Sequence, residues 1–387
     1  MKLITLISTL SLLSASVFAE TFLSGSTGAD GAIDATTFAS DDTVELTLPA
    51  DGVLHFTSVT VPTGKTLKFI PNGKNTPVSL LATGDVLIEG TIDISGQSAT
   101  NPSLAGGLGG PGGWPGGRCK TTEQLRGLGL GPGAASISPG SVSSGEPAHS
   151  TVSSYGDVYG TKLLVPLMGG SGAAGYNSSP HNSAGGGGGG AILIASTTRI
   201  DLSGSILAAG GLGIYSNLSA IPTTSSVFNA TRGSGGAVRL CAPTVAGAGT
   251  VDVNPRGRIR IDAWDRVGVN FSRTGTNSFT AGANLIAIPA ASPKLEIIEV
   301  AGQAIDPTSS AAVNLLLPEG SSETQTIKVR ATNFPATAQV AIVLTPEESS
   351  RTTVNLDIPN AGAAGAVGEA TITLPTTVLT RIDVWTR

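Results

Sequence analysis

The densest run of charge in the sequence lies at residues 256–266, where Arg256, Arg258, Arg260, Asp262, Asp265 and Arg266 fall close together. Carboxylates beside guanidinium groups suit the cleavage of polysaccharides, which needs an acid and a base, or a carboxylate with a cation, at one glycosidic bond. Strand alternation puts Arg258 and Arg260 on one face with Asp262 following, and Ile259 and Ile261 on the other. Asp93, Asp201 and Asp252 are further carboxylates on strand-like stretches. The plainer expectation is a solvent-facing strand whose charges pair across its neighbours, each exposed pair contributing about 0–1 kcal/mol. That expectation is preferred, so no residue is assigned as catalytic.

Other chemistries find less support. The string at 169–173 ends in Ala173, where a nucleophile elbow needs glycine. Gly64, Lys65 and Thr66 lack the upstream glycine of a phosphate-binding loop and read as a turn. His55, His149 and His181 are far apart and have no metal-ligand spacing. Asp30, Asp34, Asp41 and Asp42 could hold Ca²⁺, but the regular glycine–aspartate repeat of calcium-binding solenoids is absent. No metal and no cofactor is therefore expected. Trp114, Tyr155, Tyr159, Tyr176 and Tyr215 could stack on sugars, although covering glycine-rich backbone is the simpler role. Threonine-rich strands raise an ice-binding surface, but no regular Thr-x-Thr ladder recurs.

Composition bounds the rest. Charged residues make up 13% of the chain and aromatics 4%, while glycine accounts for 53 of 387 residues. Small aliphatic residues must then build the core, which fits stacked thin layers better than a bulky interior. The net charge is −5 and no basic patch stands out, so nucleic acid and anionic membrane are not expected partners. Lys2, the apolar run that follows it, and small residues at Val17 and Ala19 read as a cleavable signal peptide over 1–19. No later segment is apolar enough to span a membrane. An extracellular or periplasmic product is expected, and in that oxidising setting Cys119 and Cys241 are candidates to pair or to remain two buried thiols.

Three stretches position these residues. The first, to about residue 97, alternates through Val44, Leu46 and Leu48, then through Val59 and Val61, with proline and glycine between. The second, to about 289, is glycine-rich with islands of strand, and the islands repeat. Segments starting at Leu80, Leu193 and Leu240 align, with Gly90, Gly204 and Gly249 in one column and Ile92, Ile206 and Val251 in the next. This self-similarity predicts a parallel β-helix over 20–290, with glycine-rich insertions leaving at one corner or packing on the stack as extended layers. A short helix is expected only at 121–128. The third stretch, 291–387, alternates with period two through Ile327, Val329 and Ala331, then Val340, Ile342 and Leu344. About seven strands, one of them at 313–317, predict an immunoglobulin-like β-sandwich.

The phrases at 57–96, 185–211, 233–253 and 257–262 resemble a group of uncharacterised, exported, glycine-rich bacterial proteins. The resemblance implies secretion and a β-helix-like repeat, and carries no site residue. The stretch 214–230 departs from it, replacing glycine with Tyr215, Phe228 and several Asn and Ser residues. The expected function is that of an exported, non-enzymatic surface or extracellular-matrix protein binding polysaccharide or cell surfaces. The alternatives are a polysaccharide lyase or glycoside hydrolase acting through Arg258, Arg260 and Asp262, and a self-assembling structural protein.

Overall fold

Runs such as Val86–Ile88, Ala191–Ser196 and Ser205–Leu207 are too short to bury a face alone and must pair. In the computed structural model they do so in parallel. It describes residues 21–100, 105–118, 127, 129–134, 159–178, 181–217, 226–228, 232–309, 313–334, 336–346 and 351–386. The expected signal peptide, Cys119, and the short helix expected at 121–128 (Gly127 apart) lie outside them. Every regular element among the described residues is a β-strand, and none of their segments is a helix able to cross a membrane.

Ten strands form one parallel sheet that curls back on itself along the strand Thr250–Asp262. The first part of that strand continues an arm made of Thr43–Thr47, Thr66–Ile70, Thr91–Asp93 and Ser205–Leu207. Its last part continues a second arm made of Val53–Phe56, Val78–Ala82, Ala191–Ser196 and Ala237–Cys241. Ser272–Gly282 runs beside both parts. A separate five-strand parallel sheet comprises Ala32–Ile33, Ser58–Val61, Val86–Ile88, Arg199–Leu202 and Thr244–Ala246. Inward residues stack in rows. Leu54, Leu80, Ile194, Leu240 and Ile261 form one row across the second arm, and Leu67, Ile92, Ile206 and Val251 form one across the first. All belong to one buried cluster, to which each such side chain contributes about 1.5–3 kcal/mol.

The sequence alignment holds where glycine anchors it. Ile206 pairs with both Ile92 and Val251. A Cβ on Gly204 would meet the Gly90 carbonyl oxygen at 2.0 Å, and one on Gly249 the Gly204 oxygen at 2.3 Å. The alignment of Leu80 with Leu193 is off by one residue, because Leu80 pairs with Ile194. A slip of one residue exchanges the two faces of a strand. Ala191–Ser196 is buried throughout, so alternation alone cannot decide its register.

The glycine-rich stretches pack as extended layers. Residues 185–190 bond to six neighbouring stretches and not to one another. The carbonyls of Gly185 and Gly188 accept from Gly107 and Gly110, and those of Gly186 and Gly189 accept from Ala173 and Gly170. The N–H groups of Gly185 and Gly188 donate to Gly117 and Trp114, and those of Gly187 and Gly190 to Gln97 and Ile94. A partner every third residue, with no internal bond, is the geometry of a polyproline-II-type helix packed among others. Space, not backbone angle, demands glycine here. None of the six has a positive φ, yet a Cβ on Gly188 would stand 1.8 Å from the Gly170 oxygen. Among the described residues of the departing stretch, Gly213–Asn217 pairs with His181–Ala184 and Ser226–Phe228 in a small antiparallel sheet.

From Lys294 onward the pairing is antiparallel. One sheet holds Lys294–Val300, Gln303–Ala304, Thr324–Thr332 and Ala366–Thr373, and the other Ala338–Pro346, Thr352–Ile358 and Thr380–Thr386. Ile327, Val329, Val340 and Ile342 share a second buried cluster. On the opposite face Lys328 pairs with Glu299 at 2.9 Å. The strand expected at 313–317 is an irregular segment. Leu315 and Leu317 pack on the core as their alternation predicts, but no neighbouring strand offers them a ladder.

Candidate functional site

Arg258, Arg260 and Asp262 of the charged run at 256–266 sit on the outer face of the second arm, and the structure buries them, while Arg256 and Arg266 are half-buried and Asp265 is exposed. Arg258, Arg260 and Asp262 are 4%, 8% and 0% exposed, which corrects the expectation of a solvent-facing strand. The reason is that this arm is covered. Phe22 and Ala287 pack with Leu81, Leu193 and Cys241 in a small apolar cluster outside the sheet. A sheet covered on both faces needs apolar or paired residues on both.

Asp262 is clamped by two arginines. Its Oδ2 accepts from Arg239 Nε at 3.0 Å and Arg260 Nε at 2.9 Å, and its Oδ1 accepts from Arg260 Nη2 at 2.6 Å. Arg239 and Arg260 stand directly opposite on neighbouring strands, where like charges repel unless a carboxylate lies between them. Arg239's remaining donors go to a covering segment, and Arg260's goes to the neighbouring strand Ser272–Gly282. Arg239 Nη1 and Nη2 reach the carbonyls of Ala287 and Ile286 at 3.1 and 2.7 Å. Arg260 Nη1 reaches Thr280 Oγ1 at 3.3 Å, which in turn donates to the Lys162 carbonyl. Arg266 bonds the carbonyls of Ala263 and Gly282. Arg239 was not among the sequence candidates. The signal was present, since Arg239 and Arg260 each stand between two aliphatic residues in matching strands.

The other candidate carboxylates are dispersed. Asp93 pairs with Lys68 at 3.3 Å on the first arm, and Asp252, on the same arm, accepts from Asn254 N–H at 2.9 Å. Asp201 lies on the five-strand sheet beside Arg199, and Asp265 accepts from Val267 N–H at 3.0 Å. Of the residues weighed for calcium, the carboxylates of Asp30, Asp34 and Asp42 are separately engaged. Thr36 holds the Asp34 carboxyl below its usual range, and Lys65 does the same for Asp42. Among the described residues no three acidic, His or Cys side chains form a metal-holding group.

Trp114 meets Tyr159 edge-on at 6.1 Å, and Tyr159 Oη donates to the Gly169 carbonyl at 2.7 Å. Burial raises the Tyr159 phenol above its ordinary range. A Cβ on Gly131 would touch the Trp114 ring at 2.9 Å, so this aromatic pair covers glycine backbone. Tyr155, His149 and the side chains of Tyr176, His181 and Tyr215 lie outside the described residues.

A cleft of about 460 Å³ opens between the segments around Ser24 and Ile286, with Val53, His55 and Leu81 among its lining residues. His55 is committed to the backbone, since its Nδ1 accepts from Thr27 N–H at 3.2 Å.

Cys241 is a free, buried thiol among the described residues, and its candidate partner Cys119 lies outside them. Burial pushes the thiol up to about 12. Below its ordinary value of about 8.5 the group is neutral in both folded and unfolded chains. Above it only the unfolded chain ionises, so this contribution to stability falls as pH rises toward 12. Native protein at pH 8 is expected to leave Cys241 unmodified by iodoacetamide, with labelling only after denaturation; rapid labelling of the native chain would contradict this burial.

Comparison with known proteins gives no matching family model, no matching curated protein and no matching solved structure.

Proposed function

We propose that this chain is an exported, non-enzymatic protein of the cell surface or extracellular matrix that binds polysaccharide. In this reading residues 20–290 are a parallel β-helix with glycine-rich layers, and 291–387 an immunoglobulin-like β-sandwich. The in-register rows of aliphatic residues across parallel strands support the first, and the two antiparallel sheets around one core support the second. Export follows the signal peptide read at 1–19 and the resemblance to exported glycine-rich proteins.

The observation that carries the functional reading is the enclosure of Asp262. Catalysis of glycoside cleavage requires a carboxylate within reach of a glycosidic oxygen. The carboxylate with the best neighbours for that task is fully buried and has both oxygens committed to arginines that tie two strands to a covering segment. The cluster acts as a clasp. What remains open includes the outward face of the first arm, whose strands stay in register and leave side chains such as Thr43 and Glu45 exposed, which suits binding.

The test is incubation of the chain from Glu20 onward with insoluble glycans and with whole cells, scored for retention and for product release. Retention without release of reducing ends or unsaturated sugars is the expected outcome. Release of product that persists in Asp262→Ala would reject the non-enzymatic reading and place catalysis elsewhere.

A further inference from the structure

The register of the first arm lines up one hydroxyl from each strand. Thr43, Thr66, Thr91, Ser205, Thr250 and Ser272 stand opposite one another in turn, a row of six. Their chain neighbours Leu67, Ile92, Ile206 and Val251 point into the core, so the hydroxyl-bearing residues face outward. Thr43 and Ser272 are exposed, and the four between them are half-buried by one another. Among the described residues no side-chain hydrogen bond engages any of the six hydroxyls. On the second arm, by contrast, Ser196 Oγ donates to the Gly84 carbonyl at 2.8 Å.

The row is spaced at about 4.8 Å, the separation of paired strands, and its six rungs cover about 24 Å. Beside it runs a second outward row of Glu45, Lys68, Asp93, Leu207, Asp252 and Thr274. Lys68 is paired with Asp93, while Glu45 and Asp252 have no ion-pair partner among the described residues. The face is therefore an in-register row of hydroxyls without side-chain hydrogen bonds among the described residues, flanked by net negative charge.

We infer that this face holds an extended, linear, non-acidic polysaccharide lying across the strands, with sugar hydroxyls exchanging hydrogen bonds with successive rungs. The inference rests on the polysaccharide-binding reading above and assigns its site and ligand class. A polymer of hydroxyl-bearing units matches a periodic row of partners, and weak neutral hydrogen bonds gain by acting together on one chain. Glu45 and Asp252, which no cation neutralises among the described residues, repel uronate or sulfate groups, which removes acidic glycans from the class. A charged row next to the ladder also sets this face apart from a surface matched to ice.

The test uses the chain from Glu20 onward, with insoluble cellulose, chitin and calcium-gelled polygalacturonate as probes. Thr66→Val, Thr91→Val and Thr250→Val are combined, since valine keeps the branched shape and strand preference while removing the hydroxyl. The unsubstituted chain should be retained on a neutral glycan, and the triple variant should lose roughly tenfold to hundredfold in affinity. The matching Thr→Ser triple, which keeps the hydroxyls, should retain binding, and Thr60→Val on the five-strand sheet should change nothing. If the unsubstituted chain binds a neutral glycan and the folded valine triple binds equally well, the ladder is not the site, although polysaccharide binding stands. Should the chain bind no glycan, both readings fall. Preference for polygalacturonate, or thermal hysteresis without glycan retention, would overturn the ligand class. If the valine triple does not fold, single Thr91→Val takes its place, with an expected loss of about threefold to tenfold.

Discussion

Gly188→Ala is expected to cost more than about 3 kcal/mol and to open the glycine-rich layers to solvent, beyond the usual range for overpacking. The added methyl would lie 1.8 Å from the Gly170 carbonyl oxygen and 2.3 Å from its carbon, and both are backbone atoms with no rotamer in which to retreat. Moving that stretch would break the bond from Gly170 N–H to the Gly189 carbonyl and disturb the six stretches around 185–190. Each freed backbone group then carries its own desolvation penalty of about 1–3 kcal/mol. Gly64→Ala is the control. Gly64 has a φ of +79° and nothing within 4 Å of its would-be Cβ, so alanine there should cost only ~1–2 kcal/mol. Amide hydrogen exchange reads the difference locally. Gly107, Gly188 and Gly211 should be protected in the parent chain and exchange rapidly in Gly188→Ala. Similar protection in the two variants would show that the layers tolerate a side chain and are looser than this packing.

Asp262→Ala should lower unfolding stability by about 3–5 kcal/mol, because it leaves two buried guanidinium groups without their shared counter-charge. The loss should exceed that of removing one partner of an exposed pair such as Lys68 with Asp93, worth about 0–1 kcal/mol. Replacing Arg239, Arg260 and Asp262 together with Leu should recover most of the stability, since a well-packed apolar cluster often matches or exceeds a buried ion cluster. It would also free the carbonyls of Ile286 and Ala287 from their bonds to Arg239, so the covering segment should become more sensitive to proteolysis. Urea denaturation measures the first effect and limited proteolysis the second. A change under ~0.5 kcal/mol for Asp262→Ala would show that water reaches the cluster and that the clasp is weaker than its geometry.

Some of this architecture was legible along the chain because it depends on neighbours two or four residues apart. The inward rows through Ile92, Ile206 and Val251, and through Ile327 and Val329, follow from alternation. The stacked glycines at 90, 204 and 249 could be aligned because a Cβ at each would stand only 2.0–2.3 Å from a backbone oxygen, where no side chain fits. Where both faces of a strand are apolar, as in Ala191–Ser196, alternation loses its power and the alignment slipped by one residue.

The site was less legible, for a related reason. Arg258, Arg260 and Asp262 were found, but a strand's own sequence does not show which of its faces a remote segment covers. That segment carries Ile286 and Ala287, and the partner arginine sits 23 residues before Asp262. Half of the hydroxyl ladder was legible as a repeat, since Thr91, Ser205 and Thr250 lie between the aligned glycine and aliphatic columns, while Thr43, Thr66 and Ser272 joined it only through strand pairing. Strand formation, the residues that face the core and the positions that demand glycine follow from the chain alone, because they are consequences of side-chain period and volume. Beyond the strands that glycine aligned, the order of neighbours came from the fold. Pairing across long insertions is set by the summed packing and hydrogen bonding of the whole stack, and it turned a charged strand into a buried clasp and scattered threonines into a row.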